Sequence, residues 1–171
     1  MEDDGRSRSD PERALAETGA ALWAMVVAAV PQWVEGSVTR VLDAWEVGRP
    51  GAVDRGAAQA AAAAAGRHAR AEVARRLGEL LSADSDAQRT TPLAVVRDAT
   101  AHPAGVLDAL GVAPVVRDRF DEERFPHDVY ALTPASLATV HRALGPPALA
   151  WGAAKAAAHR ARHGERRRPS P

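Results

Sequence analysis

Apolar residues recur at helical spacing along most of this chain. Leu15, Leu22, Met25, Val26, Ala29 and Val30 fall on one face of a segment that opens at Asp10-Pro11-Glu12. Asp is a good N-cap, Pro suits the first helical position, and an acid in the first turn complements the helix dipole. Pro31 is expected to kink or restart this helix, because it has no N–H to donate and its ring crowds the preceding turn. Beyond it, Trp33, Val34, Val38, Val41, Leu42 and Trp45 form a broad apolar stripe over residues 32–47. Gly48-Arg49-Pro50-Gly51 reads as a turn.

A second helix begins near Val53-Asp54 and runs to about Leu81. Residues 60–65 are all alanine, which has the best helix propensity and a small side chain. That stretch predicts an unusually close approach to a neighbouring helix. Val73, Leu77, Leu80 and Leu81 gather at the other end, where the core should be thickest.

The second half is more irregular. Thr91-Pro92 repeats the cap-then-proline signal, and Pro103 is expected to separate that helix from a short one over Ala104–Leu110 that stops at Gly111. Residues 111–133 form an irregular connection with one short helix through Arg117–Glu123. Thr133-Pro134 starts a helix expected to end at Gly145-Pro146-Pro147, and a last helix runs from Pro147 to His163. No segment alternates apolar and polar residues as a half-buried strand would. The pattern predicts an all-α, single-domain, alanine-rich bundle of about five to seven helices. Residues 1–9 are expected to form a disordered leader, 10–163 the helical domain and 164–171 a basic disordered tail.

Composition narrows the chemistry. With 171 residues and no Cys, the chain can bury a core without disulfides and has no thiol nucleophile or thiolate metal ligand. Net charge is zero, but residues 131–171 carry seven cationic side chains against Glu165 alone, so the remainder is acidic. Lys155 is the single lysine among 22 cationic residues, a balance typical of GC-rich coding. The N-terminal residues lack the basic-then-apolar order of a secretion signal. The longest apolar run, Ala20–Val30, is shorter than the about 20 residues a bilayer needs. The expected location is cytoplasmic, with no membrane span.

Candidate chemistry concentrates between Gln88 and Lys155. Arg117, Asp118, Phe125, Asp128 and Tyr130 make a mixed charged and aromatic cluster. Such a cluster suits a partner interface, where aromatics and Arg are favoured. Trp151, Lys155 and His159 are spaced by four, one above another on a helix face, so Lys155 can lie over the indole or hold an anionic group. His159 and His163 also share a face, as metal-binding pairs do. With no third ligand nearby and Arg160 and Arg162 adjacent, they read as a solvent-facing helix end, and no metal or cofactor is expected. Glycine-rich phosphate loops, a GxSxG elbow and a dinucleotide fingerprint are all missing.

Thr91-Pro92-Leu93, Pro114-Val115-Val116-Arg117-Asp118, Phe125-Pro126-His127-Asp128-Val129-Tyr130, Leu132-Thr133-Pro134-Ala135-Ser136 and Trp151-Gly152-Ala153-Ala154-Lys155 resemble the pattern of an uncharacterised helical protein family of GC-rich bacteria. That resemblance implies no activity, cofactor or catalytic residue. The primary expectation is a cytosolic module that binds a protein partner through residues 114–130 and the C-terminal helix. An alternative is an enzyme or small-ligand binder with a site between that loop and Lys155. A further alternative is contact of the Arg-rich C-terminus with an anionic surface or nucleic acid; nucleic acid is not the expected partner. Catalytic residues are not assigned, and the oligomeric state is open.

Overall fold

A computed structural model describes residues 10–49, 51–83 and 92–166, without the side chains of residues 93, 133–143, 165 and 166. The expected leader, the Thr91 cap, the loop at 84–86 and the last residues of the tail lie outside the described residues. Six helices follow in order: α1 Asp10–Trp45, α2 Arg55–Ser82, α3 Pro92–Asp98, α4 Ala101–Ala109, α5 Arg119–Arg124 and α6 Leu132–Arg166. Among the described residues there is no strand, and the protein is an all-α single domain.

Helix α1 is the centre of the bundle, with α2 on one side and α6 on another. It buries Leu22, Val26, Val30, Val34, Val38 and Leu42, spaced by four along one stripe. By length and composition alone α1 is apolar enough to cross a membrane, with an 18-residue window of mean hydropathy 1.5. In this fold, valines and leucines of that stripe pack against side chains of α2 and α6.

Proline did not divide the helices as expected. Helix α1 is not restarted at Pro31 but continues past it to Trp45. The missing donor and the ring clash cost about 3 kcal/mol. Val26, Val27, Val30 and Val34 flank the proline and are all buried. Burying a valine stabilises by roughly 1.5 kcal/mol or more, so keeping these four in register outweighs the proline. The same correction applies to Gly145-Pro146-Pro147. The two expected helices are one, α6, with both prolines inside. Leu144 and Trp151, on either side, sit in the same core cluster.

Helix α2 opens where the sequence placed it. The Asp54 carboxylate accepts from Gly56 N at 2.9 Å and Ala57 N at 3.1 Å, satisfying two donors of the first turn. Its buried residues are Ala58, Ala62, Gly66, Ala69, Val73, Leu77 and Leu80, spaced by four and three along one face. The small residues come first, and the expected close approach is found at Gly66. A Cβ there would lie 3.2 Å from both Cα and the carbonyl oxygen of Pro31, so only glycine fits without movement.

The core has two parts. One joins the middle of α1, from Leu22 to Val34, to the second half of α2, with Val95, Val96 and Ala99 of the α3 region and Leu144 and Trp151 of α6. The other joins Val38, Val41 and Leu42 to Ala58 and Ala62, roofed by Leu107, Val112, Tyr130 and Leu132. Polar ties hold α3 and α4 onto α2. Arg76 pairs with Asp98 at 2.5 Å and with Glu72 at 3.3 Å, and Glu72 lies 2.9 Å from His102 Nε2. The hydrogen bond from His102 holds the Glu72 carboxyl below its ordinary range.

Pro103 also lies inside a helix, α4, as its third residue. In the first turn its missing N–H would have had no intrahelical partner, so it does not break the helix. Gly111 ends the helix as expected, at φ +70°. Its N–H reaches the Asp108 carbonyl at 3.0 Å, and Val112 N–H reaches Leu107 at 3.1 Å. This pair of bonds closes the last turn and delivers Val112 to the core.

Candidate functional site

Residues 112–131 hold most of the candidate chemistry, and backbone and side-chain bonds pin them. Val115 N–H donates to the Val129 carbonyl at 3.1 Å, closing the segment at its base. The Asp118 carboxylate caps α5 by accepting from Asp121 N at 2.8 Å. Arg117 donates to the Phe125 carbonyl at 2.8 Å, tying the two sides together. Asp128 accepts from Leu132 N at 2.7 Å and so caps the start of α6. These three charged residues, expected as contact groups, each serve the shape of the segment.

Tyr130 corrects the sequence reading more sharply. Only 2 % of it is exposed, so it is not a surface contact. Its hydroxyl donates to Asp108 Oδ1 at 2.5 Å and lies 3.0 Å from the Val112 carbonyl oxygen. Burial, then the hydrogen bond and the charge of Asp108, push its pKa up to about 12. Phenolate formation would remove the proton that Tyr130 donates to Asp108.

What the segment leaves outside is apolar and cationic. Val116 is fully exposed and Phe120 is 64 % exposed. The Arg124 guanidinium stands 5.6 Å from the Phe120 ring centroid and 5.7 Å from that of Phe125, which is half-buried. Phe120 and Arg124 lie one turn apart on α5; the helix expected over Arg117–Glu123 stopped one residue short of Arg124, so this pairing was missed, although its i, i+4 spacing was a signal. Val116 carried no signal beyond its place in a proline-flanked loop. A depression of about 350 Å³ lies behind the segment, between Phe125 and His127 on one side and Arg97 and Ala101 on the other.

The second cluster lies where the start of α1, the end of α2 and the end of α6 meet. Trp151 is buried against α1, its indole 3.6 Å from where a Gly19 Cβ would stand. Its Nε1 finds no acceptor among the described residues. The Lys155 ammonium lies 5.0 Å from the Trp151 ring centroid, a cation–π contact. Arg162 Nε reaches Glu12 at 3.4 Å and ties α6 to α1. A cavity of about 320 Å³ opens between Leu15, Leu81, Trp151, Lys155 and His159. At its edge, His159 Nε2 and His163 Nε2 face one another at 2.9 Å.

The structure does not bring the two clusters together. From Leu132 to Lys155 along α6 is about 35 Å, at roughly 1.5 Å per residue. Lys155 shares its cavity with Leu15 and Leu81, whereas Tyr130 packs with Val41, Leu42 and Ala58 at the other end of the α1–α2 hairpin. A single site built from Lys155 with Arg117, Asp118, Asp128 and Tyr130 is therefore not formed. Among the described residues, no group of three His, Cys, Asp or Glu side chains is placed to hold a metal. No protein-family model, curated protein or solved structure matches the chain.

Proposed function

We propose that the protein is a cytosolic interaction module that docks on another protein through residues 113–126. One observation carries this reading. Val116 and Phe120 are held in water, on a segment whose backbone is fixed from within. Exposed apolar side chains on a pre-ordered segment lose little further entropy on binding, so more of their burial appears as affinity. Arg124 beside Phe120 and Phe125 adds the residue types that dominate interface energetics. The partner surface this fits is an apolar pocket with acidic groups at its rim, able to take Phe120 and to face Arg119 and Arg124.

The test is capture from native lysate by the immobilised protein, with nuclease present and at two salt concentrations. Wild type should retain a stoichiometric protein. A V116S/F120A double variant should bind it at least about tenfold more weakly, since truncated anchor residues cost about 1–2 kcal/mol or more. Both side chains are outside the core, so the variant's helical signal should be unchanged. Equal capture by a folded double variant would overturn the proposal.

A further inference from the structure

We propose that His159 and His163 form a divalent-metal site at the C-terminal end of α6, suited to Cu²⁺ and, more weakly, Ni²⁺. The two side chains are one turn apart, and their Nε2 atoms converge to 2.9 Å with ring centroids 4.2 Å apart. Two imidazole nitrogens at that distance cannot both carry a proton. One donates and the other accepts, so both rings already turn their Nε2 atoms into the space between the two turns.

Chelation needs both nitrogens within reach of one ion. The 2.9 Å between them is the length of an N–H···N hydrogen bond, and with its proton displaced to solvent both nitrogens lie close enough to share one metal at about 2.0–2.1 Å. Tetragonal nitrogen and oxygen coordination is the preference of Cu²⁺ and Ni²⁺, and Cu²⁺ binds tighter at a given site than Ni²⁺ or Zn²⁺. Among the described residues no group of three His, Cys, Asp or Glu side chains forms around the pair, so the proposed site is a two-histidine chelate. His159 also borders the cavity beside Lys155.

The neighbouring cations were the sequence-level objection, and the geometry weakens it. Arg162 reaches to Glu12 of α1 and Lys155 lies over Trp151, so each is set against a negative charge or a π-face. Arg160 is one residue along from His159 and so projects about 100° around the helix.

The experiment uses the full chain, free of any affinity tag and stripped with chelator. Copper(II) is supplied as its weak glycine complex, which suppresses binding to isolated surface groups. Wild type should take up one Cu²⁺ with an electron paramagnetic resonance spectrum showing two equivalent imidazole nitrogens. H159A and H163A should each bind at least tenfold more weakly, and H68A should match wild type. Equal copper affinity in wild type and both variants overturns the site. So does a wild-type spectrum with a single nitrogen, which needs no variant to fold.

Discussion

The two halves of α2 build their share of the core in opposite ways. The first half contributes Ala58, Ala62 and Gly66, and its neighbours supply the bulk through Val38, Val41, Leu42, Leu107, Tyr130 and Leu132. The second half contributes Val73, Leu77 and Leu80 and meets other large side chains from α1, α3 and α6. Where side chains on both helices are large, stability is exposed to the loss of atoms. Where α2 is thin and backbone meets backbone, it is exposed to their addition.

The largest effect should come from removing bulk in the second half. Leu77→Ala, at a fully buried position, is expected to cost about 2–5 kcal/mol in urea denaturation. A loss below about 1 kcal/mol would mean that the helices collapse onto the gap, and the contrast between the halves would fail.

Tyr130 tests the roof over the thin half. Tyr130→Phe should cost about 1–2 kcal/mol by leaving the Val112 carbonyl and Asp108 without that donor. Tyr130 is the single tyrosine of the chain, so phenolate absorbance reports it alone. The folded pKa is raised from 10.0 to about 12. The protonated form is therefore the one that folding favours. Its contribution is complete below about pH 10 and drains away as pH rises from 10 to about 12. Titration near 10 in the folded protein would show the hydroxyl to be solvated.

The smallest net change, and the most diagnostic in sign, is Gly66→Ala. Helix propensity alone predicts a gain of about 1 kcal/mol. The 3.2 Å approach to Pro31 backbone atoms, which cannot rotate aside, predicts an overpacking loss of about 1–3 kcal/mol. A net loss of about 1 kcal/mol is expected, read as a fall in denaturation midpoint. A stabilised variant would show that α1 and α2 do not touch there.

These contrasts also mark what the sequence could express. The starts at Asp10 and Asp54 and the stop at Gly111 were legible because each is set by a few neighbouring residues, whereas Asp118 was read as a contact group and is a helix cap. The alanine run announced the close approach, since packing radius is a local property. The restart allowed at Pro31 and the break expected at Pro146-Pro147 did not occur, because a proline's cost is local and its offset is not. The valines that keep Pro31 inside α1 bury against other helices. The candidate site divides in the same way. The 112–131 segment was legible as irregular and charged, but the pairing of Phe120 with Arg124 was not drawn, because the expected helix ended at Glu123. That Tyr130 turns inward, and that Lys155 lies at the far end of α6, depended on how the helices assemble.

The contact between Lys155 and Trp151 has a practical chemical meaning as well. The chain carries one lysine and no cysteine, so Lys155 is its single ε-amine, and the fold holds it 5.0 Å from the Trp151 ring centroid at the mouth of a cavity. An acylating dye therefore has one side-chain address, besides the α-amine that opens the chain. That label sits beside the histidine pair and about 35 Å along α6 from the start of that helix at Leu132. Attachment there leaves Val116 and Phe120 untouched, so one reagent can report on the proposed copper site without altering the proposed partner surface.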